Sequence, residues 1–254
     1  MRYEVHIPSD RLKPYVRHLV ISEREDACAY PVLPDTAPVM GFQYAGQLAF
    51  LEDVHEHLLT STGITGLHDG YRLFRNVRPT GTILAVFREA GAAAFIRQPV
   101  HELFGQSLSL EHFFSRQRLS DTEQRLSEAG SDRERLAIVD EFLLSHLIGI
   151  KEDLLVTGAL QLIHRSAGTI RIKALADTLY TSQSPLEKRF RSRVGSSPKK
   201  FAGIVRLKHM LSELQNGRAD FLEAYYDQAH FIHDFRRMTA QTPEQWLRSL
   251  RRGT

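Results

Sequence analysis

The sequence predicts an α+β chain: a β-rich first part, a cupin-like barrel or sandwich, followed by an all-α second part. Three observations carry this. Short apolar runs separated by Pro, Gly and Asp fill the stretch from His18 to about Phe87. From Lys151 onward the apolar residues recur at helical spacing. Charge divides at the same place, since residues 1–150 hold 15 Lys+Arg against 20 Asp+Glu, a balance of −5, while residues 151–254 hold 18 against 10, a balance of +8. An acidic first part joined to a basic second part suggests that a polyanion is the partner of the second.

The β-rich part is read from HLVISE, YPVLP, VMGFQY, QLAFLE, RLFRNV and TILAVF, with turn signals at Ala45-Gly46 and Pro79-Thr80-Gly81. Strands this short and this closely spaced fit a sandwich or small barrel. EAGAAAFIRQP, from Glu89, reads as a helix stopped by Pro99, and after Leu119 the chain turns helical. Ser131-Asp132-Arg133-Glu134 has the pattern of a capping box. It opens a helix with Leu136, Val139, Leu143 and Leu147 on one face. That stripe could dock on the barrel or pair with a second copy of the chain. The expected division is 1–118 for the β-rich domain, 119–150 for a helical linker or dimerisation segment, and 151–254 for the helical domain.

Within the helical domain, Leu154, Leu155, Ala159, Leu162 and Ile163 form one amphipathic face. A second helix, Ile170 to Leu179, buries Ile172, Leu175, Ala176 and Leu179. Two later stretches then echo each other: TSQSPLEKRFRSRVGSSPKKF from Thr181, and YYDQAHFIHDFRRMTAQTP from Tyr225. At an offset of 45, Tyr180 falls on Tyr225, Leu186 on Phe231, Phe190 on Phe235, Arg191 on Arg236, Pro198 on Pro243 and Phe201 on Trp246. Each copy is a helix of one phase, a turn, then Ser-Pro or Thr-Pro opening the next helix. Gly195 ends the first copy and Ala240 stands at the equivalent place in the second. In the second copy Phe231, Phe235 and Met238 lie along one stripe, and the other face carries Gln228, His230, His233, Asp234 and Arg237. A duplicated unit in a basic helical domain suits a repetitive substrate. Duplex DNA is one, because its major groove recurs every ~34 Å and a helix-turn-helix places one helix in it.

The C-terminal hundred or so residues resemble the DNA-binding domain of the AraC/XylS family of bacterial transcription regulators. The matching pieces are LADTLYTSQSPLEKRF, VGSSPKKFAGIVRLKHML, YYDQAHFIHDF and TPEQW. LKPYVRH, VLPDTAPVMGFQYAG and TGTILAVFREAGAAAFIRQPVHELF are similar to the sensory half of one branch of that family. The resemblance implies two helix-turn-helix units joined by a linker helix. It implies duplex operator DNA as partner, RNA polymerase as a further one, and an N-terminal domain that senses a small-molecule effector or a protein. It requires no catalytic residue and no cofactor. In the first unit it places the start of the recognition helix near Ser182 and turns Gln183, Ser184, Glu187 and Lys188 toward DNA, with Leu186 and Phe190 inward. Ser184-Pro185-Leu186-Glu187 is a second candidate capping box that would start this helix two residues later. In the second unit the positions turned toward DNA are Gln228, Ala229, His230 and His233. Gln suits adenine, Lys guanine, and Glu the cytosine amino group. Arg191, Lys199, Lys200, Arg236 and Arg237 are placed for phosphates, which position a protein without specifying sequence. NGRADFLEAYYDQ is several residues shorter than the family's lead-in helix, and Ala224 stands where the family has a Gly turn.

Other chemistries have weaker support. His230 and His233 have zinc-ligand spacing but no obvious third ligand. His55 and His57, with His68 further on, share the His-x-His of metal-binding cupin barrels, yet Leu-Leu-Thr-Ser replaces the carboxylate expected after the pair. The alternative they would support is a metal-dependent cupin-like enzyme fused to a DNA-binding module. Cys28, the single cysteine, excludes an internal disulfide and fits a reducing cytoplasm; a DNA-alkylation sensor would need more reactive thiols. Arg72, Arg75 and Arg88 could hold an anionic ligand inside the barrel or lie on its outside. The composition, 42% hydrophobic and 25% charged, is that of a globular protein. No apolar run is long enough to span a bilayer, and MRYEVHIPSD is no secretory signal. These features place the chain in the cytoplasm.

Overall fold

The computed structural model describes residues 1–52, 55–77, 79–216 and 228–252. Its first half is built on two antiparallel sheets. The larger sheet contains β1 (Arg2–His6), β2 (Val16–Arg24), β4 (Val39–Ala45), β7 (Thr62–Thr65), β9 (Thr80–Phe87) and β10 (Ser107–Ser109), in the order β1-β2-β9-β4-β7-β10. The smaller contains β3 (Ala29–Val32), β5 (Leu48–Glu52), β6 (His55–Leu58) and β8 (Arg72–Asn76), in the order β3-β8-β5-β6. All six quoted apolar runs contain strands. The pattern missed β1, β6, β7 and β10, which are short and polar or exposed along much of their length.

Strand β9 explains the layering. It is covered on both faces, and for that reason its sequence is almost continuously apolar and does not alternate. Ile83, Ala85 and Phe87 enter the main core with Met40 and Phe42. Its opposite face, with Thr82, Leu84 and Val86, looks toward the smaller sheet. Two helices cover the first face: α1 (Arg116–Glu128) and α2 (Asp132–Ser145). The Ser131 hydroxyl accepts from the Glu134 N–H, as a capping box requires, whereas the Glu134 carboxylate accepts from Gly130 N–H, one residue before the cap. Val139 and Leu143 are buried in the main core, and Leu136 and Leu147 pack against it. Phe142 meets Phe42 edge-on with ring centroids 5.3 Å apart. The stripe therefore docks within the chain, and pairing of two copies through the 131–148 helix would have to use a different face. The first of these helices starts at Arg116, three residues before Leu119.

Two further expectations are corrected. EAGAAAFIRQP forms only a 3-10 turn at Gly91–Ala94. All four residues of that turn are buried, and the Tyr15 carbonyl oxygen lies 1.9 Å from where a Cβ on Gly91 would stand. Tight packing sets the backbone there and overrides the helical propensity of the alanines. Leu154 is 76% exposed, so it does not share the buried face of its helix.

The second half is helical: α3 (Leu154–Arg165), α4 (Ile172–Thr178), α5 (Gln183–Val194), α6 (Pro198–Gln215), α7 (Gln228–Thr239) and α8 (Pro243–Arg252). Asp153 caps α3, accepting from the Leu155 and Val156 N–H groups and from Arg189. Val156, Ala159, Ile163, Leu175, Leu186 and Phe190 lie in one core, which also takes Phe201, Ala202 and Val205 from the first half of α6. The second half of α6 gives Leu207, Met210 and Leu214 to another core, with Phe235 and Met238 of α7. One helix of 18 residues, about 27 Å long at 1.5 Å per residue, thus serves both units. Among the described residues no helix is long and apolar enough to cross a membrane.

Candidate nucleic-acid interface

The duplication read from sequence recurs in the backbone. Helices α5 and α7 begin and end 45 residues apart at both ends, as do the starts of α6 and α8. Gly195 N–H donates to the Arg191 carbonyl at 3.1 Å, and Ala240 N–H donates to that of Arg236 at 2.9 Å. Both acceptor-to-donor pairs close a helix with a left-handed residue, φ 99° at Gly195 and 64° at Ala240. Ser197 caps α6 through the Lys200 N–H, and Thr242 caps α8 through that of Gln245. Phe190 meets Phe201 edge-on at 5.5 Å; Phe235 meets Trp246 edge-on at 6.3 Å. The same local chemistry builds both units.

In the first unit α4 and α5 are joined by a turn in which Tyr180 has φ 51° and a side chain 98% exposed. Ser182 is the N-cap residue of α5, so the helix starts at Gln183 and the capping box at Ser184 does not form. Ser182, Gln183, Ser184, Glu187 and Lys188 are exposed on one side of α5, while Leu186, Phe190 and Val194 are fully buried on the other. Glu187 lies 3.7 Å from Arg191, and Lys188 and Lys199 make no ion pair among the described residues. In the second unit, Phe235 and Met238 are buried, and His233, Arg236 and Arg237 are exposed. Gln228, Ala229, His230 and Phe231 belong to α7, but their side chains lie outside the described residues. Residues 217–227, with Ala224 and Tyr225, lie outside them altogether.

Lys200 and Arg237, both assigned to phosphates, have protein partners. The Asp69 carboxylate sits 3.0 Å from Lys200 Nζ and 3.7 Å from Arg237 Nη1. Arg237 also donates to the Asp69 carbonyl. Lys208 of α6 pairs with Asp35. Burial alone would raise the Asp35 carboxyl, but the Lys208 hydrogen bond and charge, helped by the Thr36 N–H and Arg17, bring it below its ordinary value. Leu67, from the loop after β7, is buried in the core of the helical domain beside Phe104. The sequence offered no sign of these contacts, because the three ion pairs join residues more than 100 positions apart and Leu67 reaches a core built from a different half of the chain.

Between the two sheets lies a cavity of about 570 Å³. Gly41, Thr82, Leu84, Tyr30 and Phe74 line it along the strands, with Arg17, His18, Asp35 and His68 also on its wall. Burial lowers both histidines; the Arg17 charge lowers His18 further, while the Gly70 carbonyl partly restores His68. Arg24 stacks on Tyr30, its guanidinium carbon 4.0 Å from the ring centroid. Arg72, Arg75 and Arg88 do not line the cavity. They bond to Gly105 and Ser107, to Glu56, and to the Lys13 carbonyl, respectively. His55 and His57 stand exposed on β6, apart from the buried His68. Among the described residues no group of three or more His, Cys, Asp or Glu is arranged to hold a metal ion. Cys28 is half-buried, with its sulfur 3.7 Å from Arg24 Nη1.

Residues 175–249 match a family model described as a helix-turn-helix domain, and residues 4–109 match a domain of unknown function, DUF6597. No curated protein matches the chain. Among solved structures, an apo point variant of ToxT from Vibrio cholerae is 12% identical, with 92% of this chain and 97% of that chain covered and a TM-score of 0.48. ToxT from Vibrio cholerae O395 bound to (E)-4-(8-methylnaphthalen-1-yl)but-3-enoic acid is 13% identical, with 98% and 100% covered and a TM-score of 0.47. The AraC-like transcriptional activator CuxR is 14% identical, with 82% of each chain covered and a TM-score of 0.28. At such identities and scores, no residue role and no ligand passes from these proteins to this chain.

Proposed function

We infer that this chain, a DNA-binding transcription regulator of the AraC/XylS family, reads a specific operator with α5 and α7 and adjusts that binding through its β-rich half. The observation that carries the reading is the 45-residue repeat of a helix closed by a left-handed residue, with Leu186 and Phe190 buried in the first copy and Phe235 and Met238 in the second. In the first unit Gln183, Ser184, Glu187 and Lys188 are the base-reading positions, with Ser182 at the helix start. Arg191, Lys199 and Arg236 neutralise phosphates. In the second unit Gln228, His230 and His233 face the bases. Sensing belongs to residues 1–118 and operator binding to 151–254, with 119–150 as the helical segment between them. A small effector occupies the cavity between the sheets, whose wall is mostly apolar with charged groups from Arg17 and Asp35. Regulation by an effector needs only different affinities for two states of the protein, and no catalysis.

Binding-site selection with the full chain tests this. The expected result is a sequence preference extending over two successive major grooves, with affinity falling steeply with salt, by a log–log slope of about −0.9 for each phosphate neutralised. Failure to bind any duplex, or a flat salt response, would refute it.

A further inference from the structure

Asp69 is one carboxylate placed between both helix-turn-helix units. It takes Lys200 from the first turn of α6, directly after the first unit, and Arg237 from near the end of α7 in the second. The loop carrying it is fixed to α7 twice more, because Arg237 also donates to the Asp69 carbonyl and Tyr71 N–H donates to the Arg237 carbonyl at 3.3 Å. Lys200 is further held over the Phe104 ring, 4.3 Å from its centroid. Asp35 takes Lys208 from the middle of the helix that joins the units. Both acids come from the β-rich half, and all three cations come from the basic half. A phosphate oxygen and a carboxylate oxygen recognise an ammonium or guanidinium group in the same way.

We propose that Asp69 and Asp35 form a counter-ion latch, in which two carboxylates of the sensory half occupy cations that duplex DNA would otherwise engage. The proposal rests on the DNA-binding reading above. DNA must break the latch to use these cations, so the free protein binds DNA more weakly than its surface charge alone would give. Coupling is reciprocal, so bound DNA loosens the contact between the halves by the same factor. Asp35 and His68, the residue before Asp69, also line the cavity between the sheets. An occupant there is therefore in position to strengthen or weaken the latch without touching the helical domain.

The test compares full-length Asp69→Asn and Asp35→Asn with the unaltered protein, by fluorescence anisotropy on one labelled duplex over a range of salt. Asp10→Asn is the control, since it removes the same charge from an exposed site paired with Lys13 inside the β-rich half. Half-exposed ion pairs are individually modest, so each latch variant should tighten binding by about two- to fivefold near 0.1 M salt, with Asp10→Asn unchanged. The salt slope should steepen by up to about 0.9 for each cation released. Asp35→Asn carries the same expectation through Lys208, so the test stands even where Asp69→Asn does not fold. Latch variants that bind no tighter, or an Asp10→Asn that tightens binding equally, would overturn the latch while leaving the DNA-binding reading intact. An unaltered protein that binds no duplex would overturn that reading instead.

Discussion

The left-handed residues that close α5 and α7 yield a prediction with opposite signs at equivalent positions. Gly195 has φ 99°, and a Cβ placed there would stand 3.0 Å from Val100 Cγ1 and 3.3 Å from the Val100 carbonyl oxygen. A left-handed backbone costs a non-glycine residue roughly 1–2 kcal/mol. Alanine recovers about 0.4–1 kcal/mol by narrowing the unfolded ensemble. With the added crowding against Val100, Gly195→Ala should cost about 1–2 kcal/mol. Ala240 already bears that strain at φ 64°, and it is exposed. Ala240→Gly should therefore stabilise the protein by about 0.5–1 kcal/mol. Thermal unfolding followed by far-UV circular dichroism reads both, at about 2–4 °C for each kcal/mol in a chain of this size. Two shifts of the same sign would refute the equivalence of the helix ends and, with it, the structural reading of the duplication.

Three further outcomes follow from the same geometry. Lys188→Ala should cost about 1–3 kcal/mol at the preferred operator and relax specificity at one base pair, whereas Lys199→Ala weakens all sequences about equally; binding-site selection that finds the same uniform loss for both would show that the reading face is misassigned. Phe235→Ala, at a residue only 1% exposed and edge-on to Trp246, should cost about 3–5 kcal/mol in denaturant unfolding, and a loss well under that would mean the second unit is not packed as described. Glu89 joins the halves through Arg17 and His164, at 2.9 and 3.5 Å. Burial would raise its carboxyl, but the His164 contact, its own backbone N–H and the Arg17 charge outweigh that and bring it from 4.5 to about 2. Because the folded value is the lower one, its contribution is complete above the unfolded value of 4.5 and is lost as pH falls through about 2. Stability attributable to Glu89, about 1–2 kcal/mol after solvent screening, should accordingly decline as pH falls below about 4.5; Glu89→Gln should remove that slope, and an unchanged acid profile would show that the carboxylate is not so held.

The sequence by itself determined the division into a β-rich and a helical half, six of the strands, and the phase of α5 and α7. These are local properties. A hydroxyl residue followed by proline makes its own cap by accepting from neighbouring backbone N–H groups, which is why Ser197 and Thr242 cap their helices alike. It also picked out Leu136, Val139, Leu143 and Leu147 as one apolar stripe, but periodicity has no means of saying what covers a stripe, and only the tertiary structure showed that the sandwich does. The same limit explains EAGAAAFIRQP, where the approach of Tyr15, more than 70 positions away, decided the backbone against local propensity. The cavity between the sheets, and the carboxylates of Asp35 and Asp69 on Lys208, Lys200 and Arg237, exist because the chain returns on itself. An aspartate in an exposed loop has no partner written beside it; its Coulomb energy depends on distance through space, and folding alone sets that distance.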